Sequence, residues 1–190
     1  MSLFTQPYHD AVAQLTGPGA PFEVINCSIE GLSLKAFSQA HSSLSDYLNG
    51  GRQHGDKLLL QYQESTWSFK EFYTAADRLS HWLVTEGNIT AGTPVAIAMR
   101  NRPEWLIAFV AIINVGGIAV PLNSWGKSAE LEQGLEDSHA ALLICDAPRW
   151  KYVQESNRIV SALIVDGDAS GPQQPDFHDV IRANWTGSIT

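Results

Sequence analysis

Cysteine, basic residues and long apolar runs are all scarce in this chain. Only Cys27 and Cys145 occur among its 190 residues. Two cysteines so far apart make neither a metal site nor a disulfide framework. Cys145, inside the apolar run Leu142-Leu143-Ile144-Cys145, reads as a small buried hydrophobe. Lys and Arg number 12 against 20 Asp and Glu, a formal net charge of -8. That balance argues against a nucleic-acid or anionic-membrane partner, which would need a basic patch. The longest apolar run, Trp105 to Ile113, is far too short to span a bilayer. Met1 to Asp10 has no basic flank followed by an apolar core, so no signal peptide is visible and a cytoplasmic location is expected. Asn26-Cys27-Ser28, Asn88-Ile89-Thr90 and Asn184-Trp185-Thr186 fit the glycosylation pattern, which carries no meaning without secretion. The 6 histidines are scattered without metal-ligand spacing.

What is present is an ordinary apolar content in a chain long enough to bury roughly 70% of its unfolded surface. Residues 1–56 read as an irregular N-terminal arm packed on the main body, broken at Gly17-Pro18-Gly19-Ala20-Pro21. Leu44, Tyr47 and Leu48 suit a short helix stopping at Gly50-Gly51. From Lys57 the pattern turns regular. Leu58 to Tyr62 is strand-like, and Ser65 to Phe69 suggests a second short strand. Ser68 followed by Glu71 is a capping box, and Phe69, Phe72, Tyr73, Ala76, Leu79 and Leu83 then share one helix face up to Gly87. Val95 to Met99 and Ala141 to Cys145 are continuous apolar runs, as in strands covered on both faces.

Between those runs, Pro103 opens a helix that is apolar nearly all round from Trp105 to Val115. Gly116-Gly117 stops it, and Ile118 to Pro121 is a strand ending in proline. Ser128 reads as the cap of a helix that turns Leu131 and Leu135 inward. Trp150 to Ile159 suits a helix and Ala162 to Val165 a strand, followed by a Gly171-Pro172-Gln173-Gln174-Pro175 loop. Strands and helices therefore alternate. The predicted fold class is α/β, a mostly parallel sheet flanked by helices and joined by right-handed crossovers. The predicted division is 1–56 as the arm, 57–166 as the α/β subdomain, and 167–190 as a C-terminal loop and helix.

Local patterns that mimic catalytic motifs do not hold up. Ser124-Trp125-Gly126-Lys127 has the Ser-x-x-Lys spacing, but Gly126 interrupts the helix that motif needs and its partner motifs are absent. Gly17-Pro18-Gly19 follows no strand and lacks the third glycine of a dinucleotide loop. Asp10, Glu30, Asp46 and Asp56 have no partner acid in the pattern. His54, beside Gly55, is expected in a loop, His81 on the polar side of its helix, and His139 just before a strand. Trp125 and Trp150 suit simple packing better than the walls of a groove.

From Trp67 to Asp146 the order of segments is specific. Trp67-Ser68-Phe69-Lys70-Glu71-Phe72 comes first, and Val115-Gly116-Gly117-Ile118-Ala119-Val120-Pro121-Leu122-Asn123 follows a helix and a strand later. This order resembles the N-terminal part of the adenylate-forming (AMP-binding) superfamily, of the acyl-CoA synthetase or fatty-acid–CoA ligase type. The resemblance implies an N-terminal subdomain of an acyl-CoA synthetase-like fold. It implies a parent ligase, cytoplasmic and concerned with fatty acid metabolism, that uses ATP, Mg²⁺ and coenzyme A to form an acyl-adenylate and then an acyl-CoA. In relatives that chemistry needs a Ser/Thr/Gly-rich phosphate loop ending in lysine, an acid on the nucleotide ribose, and a late lysine. None can be matched here, so no catalytic, cofactor-binding or metal residue is assigned, and the chain alone is expected to be inactive. Glu71, Gly116, Gly117, Pro121 and Asn123 have structural explanations instead. The expected partner is the remainder of the parent enzyme, with a homodimer as a further possibility. The rival reading is a non-catalytic α/β binding or interaction module.

Overall fold

The computed structural model of the protein describes residues 6–156, 160–167 and 174–183. The Asn184-Trp185-Thr186 motif, the end of the helix predicted to reach Ile159, and Gly171 to Gln173 of the predicted loop lie outside the described residues. The chain divides into two compact units, Met1–Asp46 and Tyr47–Thr190.

The first unit is more regular than its sequence suggests. Helix α1 (Gln6–Thr16) ends at the expected Gly-Pro break and buries none of its residues. Strands β1 (Val24–Ile29) and β2 (Leu32–Phe37) form an antiparallel hairpin, with Ile25 opposite Ala36, Cys27 opposite Leu34 and Ile29 opposite Leu32. Both turn residues have positive φ, 49° at Glu30 and 82° at Gly31. That is the backbone twist a two-residue hairpin turn requires. The expectation of an irregular stretch over 1–56 is thus corrected. Helix α2 (Leu44–Asn49) also departs from expectation, because Gly50-Gly51 does not stop the helical path. A 3-10 turn continues over Gly50–His54, and the chain reverses at Gly55, where φ is 54°. His54 therefore sits in that turn rather than in a loop, its ring 4.7 Å from that of Phe69.

In the second unit, which begins at Tyr47 and so includes that 3-10 turn, an antiparallel pair follows, β3 (Leu58–Tyr62) and β4 (Ser65–Ser68). Ser68 then caps α3 (Phe69–Thr85). Its Oγ accepts the Glu71 N–H at 3.2 Å, and Glu71 Oε2 accepts the Ser68 N–H at 2.8 Å, as the capping box predicts. The Ser68 N–H, and the Ser68 hydroxyl donating to the same Oε2 at 2.7 Å, hold the Glu71 carboxyl below its ordinary range. Phe72, Tyr73, Ala76, Leu79 and Leu83 are buried along one face.

The remaining elements are β5 (Pro94–Ala98), α4 (Pro103–Asn114), β6 (Ile118–Pro121), α5 (Ser128–Ser138), β7 (Leu142–Asp146), α6 (Ala147–Gln154), β8 (Ser161–Val165) and α7 (Phe177–Arg182). The sheet runs in the order β6-β5-β7-β8, with every neighbouring pair parallel. The two apolar runs singled out in the sequence, β5 and β7, are its central strands, as predicted. The expected α/β class with a parallel sheet flanked by helices is the observed one.

Side-chain alternation along β5 sorts the core into two layers. Val95, Ile97 and Met99 join α3, α4 and α7 in one cluster that includes Leu79, Ile107, Ile112 and Phe177. Ala96 and Ala98 face the other way, where small side chains leave room for Leu131 and Leu135 of α5 and Val153 of α6. Each fully buried aliphatic side chain here contributes about 1.5–3 kcal/mol. The α4 face is less uniformly buried than its composition predicts, since Leu106 remains 40% exposed. Gly116 leaves α4 with φ of 73°, and a β-carbon on Gly117 would meet Ile112 Cγ2 at 3.0 Å and the Thr93 carbonyl oxygen at 3.3 Å. The glycine pair thus allows helix and strand to meet closely.

Two helix starts differ from expectation. Lys127, not Ser128, is the N-cap of α5, and no side chain caps it. The Ser128 hydroxyl instead donates to Glu155 Oε2 at 2.7 Å. Helix α6 begins at Ala147, three residues before the predicted Trp150, because the last residue of β7 serves as its cap: Asp146 accepts from the Arg149 N–H. No described helix is long and apolar enough to cross a membrane.

Candidate functional site

The strand order contains a switch point. From β5 the chain crosses to β6 on one side, then returns past β5 to β7 and on to β8. The direction of winding reverses between β5 and β7. In open α/β sheets such a switch point parts the loops outside the carboxyl ends of the strands, and ligands bind there. Here those loops carry Arg100 after β5, Ser124 and Trp125 after β6, and Asp146 at the end of β7 with Arg149 beyond it.

These residues form one connected set. Asp146 is 4% exposed and Arg149 7%. Asp146 Oδ2 accepts the backbone N–H of Arg100 at 3.2 Å, and Oδ1 accepts that of Arg149 at 3.2 Å. Arg149 Nη1 donates to both carboxylate oxygens, at 3.2 and 3.1 Å. Its Nε and Nη2 both reach the Ser124 carbonyl, at 2.8 and 2.6 Å. One residue on, the Trp125 N–H donates to Asn123 Oδ1 at 3.0 Å, while Asn123 Nδ2 donates to Glu130 Oε1 at 2.7 Å. The Arg100 guanidinium lies over the Trp125 ring, 3.1 Å from its centroid. Trp125 itself is 77% exposed. Chemically, the rim offers a cation stacked on an indole in water, standing on a buried ion pair. Such a surface suits a planar ring and an anion.

A second charged cluster joins α4, the end of β8 and α7. Arg102 Nε meets Glu104 Oε2 at 2.7 Å, and its Nη2 meets Asp166 Oδ2 at 2.8 Å. His178 Nε2 lies 3.1 Å from Asp166 Oδ1 and 3.6 Å from Glu104 Oε1. Burial works against the Arg102 charge, but its bonds to Glu104 and Asp166 outweigh that and keep the guanidinium above its ordinary range. Burial likewise pushes Asp166 up, yet the Arg102 and His178 hydrogen bonds prevail and hold its carboxyl low. Glu104 and His178 also border a cavity of about 890 Å³ lined by the β3–β4 hairpin, α3 and α7. Its lining mixes Lys70, Arg78 and Arg182 with Asp56 and Glu71, so its charge favours neither sign. We regard the switch-point rim as the functional candidate, because its residues converge from separate strands while the cavity lies beside the sheet.

The sequence-level candidates fall as follows. Ser124 and Lys127 lie in the β6–α5 loop, not on one helix turn, so the Ser-x-x-Lys match has no catalytic geometry. Asp56 pairs with Lys70 at 3.7 Å, while the Asp46 carboxylate accepts from the Ser42 hydroxyl and the Asp46 backbone N–H donates to Ser43 Oγ. His139 occupies the left-handed cap of α5. Trp150 packs against the α5–α6 core, whereas Trp125 does not pack inward as expected. Cys27 and Cys145 are both free thiols. Among the described residues, no three His, Cys, Asp or Glu side chains converge on a metal position. Of the rim residues, Arg100, Asp146 and Arg149 were not picked out from sequence, and Trp125 was weighed as a groove wall but read as packing. The signal available was their place, each within a few residues of the end of an apolar strand.

An open parallel sheet wound to both sides of a switch point defines a doubly wound α/β class of protein, and comparison narrows it. The profile of the AMP-binding enzyme family matches residues 49–186. The chain belongs to that family, and the resemblance drawn from Trp67 to Asp146 is correct. The very long-chain fatty acid transport protein of Saccharomyces cerevisiae is 26% identical over 143 residues, covering 70% of this chain and 21% of that protein. Malpinin synthetase of Mortierella alpina is 33% identical over 89 residues, 47% of this chain and 1% of that one. Among solved structures, coronafacic acid ligase from Pectobacterium brasiliense aligns with a TM-score of 0.67 at 17% identity, over 76% of this chain and 30% of that chain. A benzoate CoA ligase from Burkholderia xenovorans LB400 aligns at 0.65 with 19% identity, over 74% and 28%. At those identities the structural likeness establishes the fold. The chain spans less than a third of each of these relatives.

Proposed function

We propose that this chain is the opening part of an ATP-dependent carboxylic acid–CoA ligase, a soluble, cytoplasmic enzyme of fatty acid metabolism. The observation that carries this reading is the family match over 49–186 on a sheet whose switch-point rim presents Arg100 and Trp125. In such a ligase a carboxylate attacks the α-phosphate of ATP, giving an acyl-adenylate and pyrophosphate. The coenzyme A thiol then displaces AMP. Both nucleotide substrates carry a planar base and phosphates, the chemistry that a guanidinium stacked on an indole suits. The rim serves the coenzyme A side in this reading.

Residues 57–166 form the α/β body of this proposal, 1–56 its arm, and 167–190 the loop and helix leading onward. The described residues do not fit a magnesium site of their own. When bound, Mg²⁺ would neutralise the phosphates of ATP. This chain's own part is to scaffold the sheet and hold the rim. Pairing into a homodimer would cover the hairpin face on which Ile25, Ile29, Leu32 and Leu34 are exposed. Sedimentation equilibrium at micromolar concentration tests that part, and a clean monomer mass throughout refutes it.

ATP–pyrophosphate exchange with a panel of carboxylic acids tests the activity. The 190-residue chain is expected to show none and to bind Mg-ATP no more tightly than about 0.1 mM, near -5.5 kcal/mol. A polypeptide extending it to the length of its relatives is expected to exchange with at least one acid, then to form the acyl-CoA. Exchange without transfer to coenzyme A would move the acceptor to a carrier protein. No exchange with any acid would favour a binding module.

A further inference from the structure

The rim contains a buried ion pair that stability alone does not explain. Removing two charges from water costs several kcal/mol per ion, and apolar replacements of equal volume are often as stable. Yet Asp146 and Arg149 are both almost fully buried where the chain leaves the carboxyl end of β7. Their bonds connect the loops after three different strands. Asp146 holds the backbone at Arg100, after β5. Arg149 places two fork nitrogens on the Ser124 carbonyl, after β6. The pair itself stands on the first turn of α6, after β7. The circuit closes where the Arg100 side chain returns to the ring of Trp125, the neighbour of Ser124.

We infer that Asp146 and Arg149 are positioning residues, which fix the three strand exits relative to one another and so hold Arg100 flat against Trp125 as a preformed platform. This rests on the reading of the rim as the coenzyme A side. An exposed tryptophan on a loop has many rotamers, and an arginine side chain more. Pinning the backbone at 124 through Arg149, at 125 through Asn123 and at 100 through Asp146 fixes where the two side chains start, so they meet without a search of loop conformations before a ligand arrives. The fork geometry is essential, because a lysine ammonium cannot place two donors on one carbonyl while a third nitrogen meets the carboxylate.

The test uses the intact chain with coenzyme A as the probe. Calorimetry gives its affinity, and the indole N–H resonance of Trp125, assigned through Trp125→Phe, reports the platform without ligand. Arg100→Ala and Trp125→Ala are expected to weaken coenzyme A by about tenfold or more. Asp146→Asn retains a good helix cap, and Arg149→Lys retains the charge. Both are expected to weaken coenzyme A by about fivefold or more and to shift or broaden the Trp125 resonance. Leu79→Ala, fully buried in the α3 core, is expected to lower the unfolding midpoint while leaving that resonance and the affinity alone. If either Asp146→Asn or Arg149→Lys folds with the resonance unchanged and affinity within about twofold of wild type, the positioning role is overturned while the rim stands. If wild type ignores coenzyme A, or Arg100→Ala and Trp125→Ala bind it normally, the coenzyme A reading fails. The unliganded Trp125 resonance in the two charge variants still decides the positioning.

Discussion

The hydroxyl of Tyr73 occupies the space in which a β-carbon on Gly51 would lie. It donates to the Leu48 carbonyl, and the ring carbons Cζ and Cε2 stand 3.2 and 3.3 Å from that ideal β-carbon position. The Arg52 guanidinium covers the same ring at 4.5 Å and grips Asp77 with two nitrogens, at 2.9 and 2.6 Å. The glycine therefore serves close packing of the 3-10 turn onto α3.

Gly51→Ala is expected to cost about 1–3 kcal/mol, the usual penalty of overpacking. Tyr73 is only 7% exposed, so it cannot swing aside freely. Tyr73→Phe removes the obstructing hydroxyl along with its hydrogen bond, at about 1 kcal/mol. The double variant should lose less than the sum of the two, because a phenyl ring without the hydroxyl leaves room for the new methyl group. Strict additivity in urea unfolding would show that the contact is not the cause.

Helix α3 depends on its first turn as well as on its buried face. Ser68→Ala removes the hydroxyl that accepts the Glu71 N–H and should cost about 1 kcal/mol. Ser68→Asp should recover most of that loss, since it restores an acceptor at the cap. Chemical denaturation of both variants checks this, and equal losses in the two would rule out the cap as the origin.

Leu142, 3% exposed on the central strand β7, is a harsher test of the sheet. Leu142→Asp places a carboxylate between helix layers and should cost several kcal/mol. Val84→Asp on the outer side of α3, where Val84 is 38% exposed, should cost far less. Similar unfolding midpoints for the two variants would contradict the burial of β7.

The same positions show what was legible in the sequence. Strands β5 and β7 announce themselves as unbroken apolar runs, and α3 by a capping box followed by a six-residue apolar face. The β1–β2 hairpin escaped because its turn is carried by Glu30, whose φ of 49° is uncommon outside glycine, asparagine and aspartate. Helix α1 buries none of its residues, so Tyr8, Val12 and Leu15, though at helical spacing, do not read as part of a core. Ser128 carried the composition of a cap, but its hydroxyl found Glu155, 27 residues away. The rim was illegible for the same reason on a larger scale. Arg100 and Asp146 are 46 residues apart, and Ser124 and Arg149 are 25 apart, so local pattern cannot join them. Only the order of strands brings those loops together.

The thiols should separate cleanly. Burial pushes the Cys145 thiol far above its ordinary value, with the neighbouring Asp146 charge acting in the same direction. Cys27 is only half-buried. In native protein at pH 8, one thiol should react quickly with an aromatic disulfide reagent and the second only on unfolding. The linkage sign follows from the raised value. Cys145 imposes no penalty below the unfolded thiol value near ~8.5, and stability falls as pH rises beyond it. Cys145→Ala should remove that alkaline loss. Rapid reaction of both native thiols would contradict the burial.

The acid side of the pH profile belongs to Asp166. Its carboxyl is held below the ordinary range: burial opposes this, but the Arg102 and His178 hydrogen bonds outweigh it. A depressed carboxylate contributes stability that is fully present above the unfolded value, near ~3.9, and disappears as pH falls through the folded one. Its side chain is 59% exposed, so the contribution is small and screened by salt. Asp166→Asn should therefore be slightly less stable than wild type at pH 6, by a margin that shrinks below about pH 4. The Phe177, Val180 and Ile181 anchors of α7, all buried, keep the helix docked in either state. Denaturant titrations of both proteins from pH 2 to pH 7 decide the matter. A gap that stays constant down to pH 2 would mean that the Arg102–Asp166 contact contributes nothing through charge.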